Sequence, residues 1–213
     1  MVKKLKIDIN SETMDIVSSE QLTLLQCLRQ NGLTGTKEGC ASGDCGACTV
    51  LLCDKEAEAP FITVNSCITP LLQLTGKQVI TVEGLTAGPR LHVVQQQLIE
   101  KHGSQCGFCT PGFVMSMFAY RKNNQNPERE SINEALGGNL CRCTGYRPII
   151  DAAVQMFEPE AKDKFSQSEA KICASLTKIQ TESNVVNLRH RGKSFYSPGS
   201  VDELSDLLIE HPD

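Results

Sequence analysis

Between Cys40 and Cys48 the sequence CASGDCGAC places three cysteines and two glycines in one loop with no large side chain. The thiols are spaced C-x4-C-x2-C, and Cys67, in NSCITP, is the next candidate for a fourth, with eighteen residues between it and Cys48. This is the plant-type spacing for a [2Fe-2S] cluster. Four thiolates must surround two irons, and backbone N–H groups must come close to the bridging sulfides. Gly39, Gly43 and Gly46 have no Cβ to obstruct that approach, and Ala41, Ser42 and Ala47 keep the loop tight. Substituting valine for Gly46 is therefore expected to weaken or abolish this site and to leave any other in place. Four-cysteine zinc is the alternative, although zinc more often takes paired C-x2-C knuckles than an x4 gap in a glycine-rich wrap.

A second set combines Cys106 and Cys109 of QCGFCTPG with Cys141 and Cys143 of GNLCRCTGYRP. Each pair lies in a loop just before a helix, so helix N-termini direct partial positive charge toward the thiolates. That suits an anionic cluster. The spacing of this set alone leaves zinc open.

Eleven cysteines in 213 residues could instead suggest disulfides. A chain of this length buries enough surface to fold without such staples, and its start, MVKKLKIDIN, lacks the apolar run of a signal peptide. No stretch reaches the roughly 18 apolar residues of a membrane span. The chain therefore reads as soluble and cytoplasmic, a compartment where thiols stay reduced and bind metals. A formal net charge of −4 gives no footprint for nucleic acid. His92, His102, His190 and His211 are scattered, and neither a Walker loop nor GxGxxG is present. Cys27 and Cys53 read as buried core residues; Cys173 is given no role.

Periodicity divides the chain. KLKIDIN and TMDIVS form a hairpin, with Leu5, Ile7 and Ile9 on one face and Lys6 and Asp8 on the other. LTLLQCLRQNG is a helix stopped at Gly32, and TVLLC and KQVITVEGL are strands, giving a mixed α+β domain over residues 1–84. Four short helical patterns follow over residues 85–160. One has Thr110 as N-cap with Pro111 at its first position, one carries a Ser131/Glu134 capping box, and one starts at Pro148. The Lys and Arg of AYRKN are a solvated face. Residues 161–190 are polar and read as a linker, and residues 191–213 read as the incomplete start of another domain, with Ser200 and Glu203 in a capping box.

The segments LTGTKEGCASGDCGACTVLL, NSCITPLL, ITVEGL, QCGFCTPGFVMS and NPERESINEALGGNLCRCTGYRPI, within residues 20–157, resemble the iron-sulfur portion of the molybdenum hydroxylases, the xanthine dehydrogenase and aldehyde oxidase family. The resemblance implies an α+β, β-grasp, plant-type ferredoxin domain and an all-α four-helix domain, each with one [2Fe-2S] cluster. It implies ligands Cys40, Cys45, Cys48 and Cys67 for the first cluster and Cys106, Cys109, Cys141 and Cys143 for the second. Gln105 would contact a molybdopterin held by a large partner subunit in a hetero-oligomer, and electrons would pass through the second cluster, then the first, to FAD and NAD. Substrate-hydroxylating residues would lie on the partner. The ending RGKSFYSPGSVDELSDLLIEHPD is similar to the first strand and helix of the family's FAD domain, which implies a chain truncated before its flavin-binding stretch. Xanthine or hypoxanthine is the implied substrate, with an aldehyde oxidase-type hydroxylase as the alternative. A zinc-stapled interaction module without redox function and a carrier serving no molybdenum enzyme are further ones.

Overall fold

The computed structural model describes residues 4–17, 22–53, 61–75, 77–86, 90–124, 128–157, 165, 187–190 and 193–212. Strands β1 (Lys4–Ile9), β2 (Glu12–Val17), β3 (Thr49–Cys53), β4 (Phe61–Asn65) and β5 (Gln78–Ile80) form one sheet in the order β2-β1-β5-β3-β4. β1 and β2 pair antiparallel as a hairpin, β1 runs parallel to β5, and β3 is antiparallel to both β4 and β5. Helix α1 (Leu24–Gln30) packs on one face. It opens with a capping box in which Thr23 Oγ1 accepts from Gln26 N, and Gly32, at φ +79°, lets the chain leave its C-terminus in the left-handed region. This is the β-grasp half of the fold.

β3 explains how the second half is attached. Every residue of this strand is buried, because successive side chains enter different cores. Val50 and Leu52 join Ile7, Ile9, Leu24 and Leu28 beneath α1. Leu51 and Cys53 join a larger core on the opposite face, where the helices pack. Those helices are α2 (Val82–Leu85), α3 (Val93–Glu100), α4 (Thr110–Asn123), α5 (Arg129–Leu136) and α6 (Arg147–Gln155).

Phe118 of α4 is completely buried at the centre of this shared core. Its ring meets Phe61 of β4 edge-on at 5.6 Å and Phe165 at 5.1 Å. His92 caps α3 through Nδ1, which accepts from Val94 N at 3.3 Å, and its ring lies 5.0 Å from Phe118. A separate hairpin, β6 (Asn187–His190) with β7 (Lys193–Tyr196), is followed by α7 (Val201–Glu210).

Several local expectations are corrected. Asp8, on the face opposite Ile7 and Ile9, is buried where β1 pairs with β5, and its Oδ1 accepts from Gln78 Nε2 at 3.0 Å and Ser11 N at 2.8 Å. The strand read through KQVITVEGL ends at Ile80. There Thr81 N donates to Asn10 Oδ1 and the chain turns into α2. Helix α4 starts one residue early, with Cys109 as cap and Thr110 as its first residue. Ser131 caps nothing: α5 already begins at Arg129, and the Ser131 hydroxyl donates to Glu128 O. Ser200 does cap α7, but Glu203 Oε2 accepts from Gly199 N instead of closing a box.

The AYRKN segment is tied down rather than simply solvated. Arg121 Nε donates to Met156 O, Lys122 lies 5.7 Å from the Phe118 ring centre, and Asn123 Nδ2 donates to Phe61 O. Cys27 and Cys53 are buried core residues as expected. Cys173 and most of the 161–190 segment lie outside the described residues, but that segment ends in strand β6 and contains Phe165, which belongs to the shared core.

Candidate metal centres

The loop from Gly39 to Cys48 is folded around the Cys40 sulfur. Backbone N–H groups of Ser42, Asp44 and Cys45 donate to Cys40 Sγ at 3.4, 3.3 and 3.4 Å. Ala41, at φ +56°, and two glycines with positive φ turn the chain so that these amides converge. A Cβ on Gly39 would lie 2.7 Å from Cys45 Sγ. The hydrogen bonds from Ser42, followed by those from Cys45, lower the pKa of the exposed Cys40 thiol to about 6.

Cys48 and Cys67 form the buried side of this site. Cys48 is held at the head of β3, while Ser66 N and Oγ, next to Cys67, both donate to Cys48 O. Burial, and then the neighbouring Cys48 thiol, push Cys67 up to about 11.

The second set repeats this division. Cys106 and Cys143 are exposed, with 3.6 Å between their sulfurs. Cys109 is half-buried at the N-terminus of α4, and Cys141 is buried. Burial and the adjacent Cys141 push Cys109 up to about 12. Burial would also raise Cys141, but hydrogen bonds from Thr144, whose Oγ1 lies 3.1 Å from the sulfur, and from Cys143 leave it lowered. Cys143 is raised by the Cys106 thiol beside it. Cys141 N donates to Tyr146 Oη at 2.9 Å, which draws the second loop over the start of α6.

All eight thiols are free of disulfides. Among the described residues no three His, Cys, Asp or Glu side chains close on one point as around a single metal ion. The thiols meet in pairs instead: Cys40 with Cys45, Cys48 with Cys67, Cys106 with Cys143, and Cys109 with Cys141. Paired thiols fit a two-iron core, in which each iron takes two thiolates, and convergent N–H groups fit its negative charge. Gln105 is exposed beside Cys106.

The two loops touch. Leu140 N donates to Cys45 O at 3.0 Å, and a Cβ on Gly39 would lie 3.6 Å from the ring of Phe108, which stands between Cys106 and Cys109.

Comparison with known proteins agrees with this layout. Residues 7–72 match the 2Fe-2S iron-sulfur cluster binding domain and residues 81–154 match the [2Fe-2S] binding domain. Xanthine dehydrogenase of Emericella nidulans is 40% identical over 210 residues, covering 93% of this chain and 15% of that protein. Aldehyde oxidase 1 of Rattus norvegicus is 52% identical over 137 residues, covering 62% of this chain and 10% of that protein. The crystal structure of quinoline 2-oxidoreductase from Pseudomonas putida 86 contains a chain 34% identical, 97% of which is covered, at a TM-score of 0.65. The chain belongs to the molybdenum hydroxylase family.

As a molybdenum hydroxylase chain it has two [2Fe-2S]-binding domains, and both cysteine loops lie inside the matched segments, which sets the zinc reading aside. It spans about a sixth or less of the length of the curated xanthine dehydrogenases and aldehyde oxidases it resembles. Sequence reasoning missed Asn139, a buried polar residue between the two thiol loops, and Tyr146, which anchors Cys141. An asparagine or tyrosine near a cysteine carries no spacing signal of its own.

Proposed function

We propose that this chain is the electron-relay part of a molybdenum-dependent dehydrogenase. Cys40, Cys45, Cys48 and Cys67 hold one [2Fe-2S] cluster, over a domain of about residues 1–84. Cys106, Cys109, Cys141 and Cys143 hold the other, over about residues 85–160. The observation that carries this reading is the contact between the two thiol loops, made through the Leu140 N–H and the Cys45 carbonyl. Each cluster supplies one-electron redox chemistry; the protein supplies thiolates, amide donors and a fixed separation.

Gln105, beside the exposed end of the second site, contacts the pterin of a molybdopterin-binding partner subunit. The exposed Cys40 edge faces a flavin, with NAD as the final acceptor. A hetero-oligomer is supported by the quinoline 2-oxidoreductase chain, a separate polypeptide matched over nearly its whole length. Xanthine or hypoxanthine is the favoured substrate, a reading supported by the fungal xanthine dehydrogenase, to which similarity extends over 93% of the chain. A cytoplasmic location suits reduced thiols, and among the described residues no helix is long and apolar enough to cross a membrane.

Anaerobic purification followed by iron and acid-labile sulfide analysis tests the assignment. About four of each per chain is expected for two clusters. Stoichiometric zinc without iron contradicts it.

A further inference from the structure

Asn139 is 4% exposed and lies two residues before Cys141. Its Nδ2 donates to Gly46 O at 3.0 Å and toward Thr49 Oγ1 at 3.4 Å, and its Oδ1 accepts from Ser116 Oγ at 2.6 Å. Gly46 O can only accept, so the amide nitrogen must face it and the oxygen must face the serine hydroxyl. Thr49 Oγ1 adds a second bond to Gly46 O at 2.7 Å. Thr49, Ser116 and Asn139 are all buried, and each side chain is satisfied within the group.

This network touches both sites without supplying a thiol to either. Gly46 follows Cys45, Asn139 precedes Cys141 by two residues, and Ser116 stands on the helix that Cys109 caps. The backbones here are too close for side chains. A Cβ on Gly46 would lie 2.5 Å from Asn139 Nδ2 and would also meet Gly138 O, and one on Gly112 would run into Gly46 O. Hydrogen bonding and the two missing methyl groups therefore fix how near the first loop stands to the second.

We propose that Asn139 is the positioning residue that sets the separation and orientation of the two clusters, acting through Gly46 and Ser116, with Gly112 providing the clearance. The proposal rests on the two-cluster relay reading above. It makes the inter-site geometry depend on a buried amide that ligates neither cluster, and so separable from the binding of either.

Two variants perturb the network by different means: Asn139→Leu removes every side-chain hydrogen bond at near-constant size, and Gly112→Ala inserts a steric wedge. Each is purified anaerobically, assayed for iron and sulfide, and fully reduced for EPR, where magnetic interaction between two paramagnetic clusters splits the signals and falls with the inverse cube of their distance. The expected result is parent-like iron and sulfide in both variants with loss of the splitting resolved in the parent. Parent-like splitting in both variants overturns the proposal. Loss of iron from either variant also overturns it, because the network would then be holding a cluster's own loop. Absence of two reducible clusters in the unsubstituted protein would overturn the relay reading itself, and this inference with it.

Discussion

Leu140 N donates to the carbonyl of Cys45 at 3.0 Å, so the residue preceding Cys141 is hydrogen-bonded to a thiol-bearing residue of the other site. Its side chain is half exposed and contributes little to the core. Leu140→Pro removes the N–H, costing about 0.5–1.5 kcal/mol of stability, and is expected to slow electron equilibration between the clusters. Leu140→Ala keeps the donor and is expected to equilibrate like the parent. Flash reduction followed by optical detection checks both; equal slowing in the two variants would show that the side chain matters and the bond does not.

Phe118 joins the halves of the molecule. Because its ring packs on Phe61 of the sheet as well as within the helices, Phe118→Ala is expected to destabilise the fold by about 3–5 kcal/mol. The loss should appear as one lowered cooperative transition in denaturant, followed by far-UV circular dichroism and cluster absorbance together. Two transitions, only one of them shifted, would mean that sheet and helices have independent cores.

Gly46 has φ +69°, and any Cβ there meets Gly138 O and Asn139. Sequence alone ties this glycine to the approach of backbone to sulfide, which predicts damage to the first cluster only. The structure adds a wall from the second loop. Gly46→Val is therefore expected to lower the iron content of the first site and also to alter the EPR line shape of the second. An unchanged second signal would leave only the first of these effects.

Thiol protonation in the metal-free protein gives a pH test. Cys40, lowered to about 6 by the bonds from Ser42 and Cys45, is mostly thiolate at pH 7. Cys67 and Cys109, raised to about 11 and about 12 by burial and a neighbouring thiol, are protonated there. Thiolate is the nucleophile. Alkylation of Cys40 by iodoacetamide should thus rise through about pH 6 and level off, while Cys67 and Cys109 stay unmodified until strongly alkaline pH. Peptide mapping by mass spectrometry reads this directly, and simultaneous modification of all three near pH 9 would contradict it.

The thiol sets were legible because metal chemistry dictates residue type and spacing together. The hairpin and α1 were legible because Ile7, Ile9 and the leucines of α1 keep their period. What escaped was long-range. β4 carries Phe61 into a core whose other members lie far along the chain, and Asp8 is buried where β5, some seventy residues later, pairs with β1. Ser131 carried a local capping signal that packing overrode, since its hydroxyl meets Tyr120 Oη at 2.6 Å within a helix already begun. Asn139 takes its meaning from Gly46 and Ser116, partners that no local pattern links to it.

The assignment of four thiols to each cluster is tested most directly by EPR-monitored reductive titration of the parent, Cys48→Ser and Cys141→Ser proteins. The parent should show two distinct [2Fe-2S] signals, with Cys48→Ser disturbing only one and Cys141→Ser only the other. A single signal in the parent, or loss of the same signal in both variants, would contradict the two-site account.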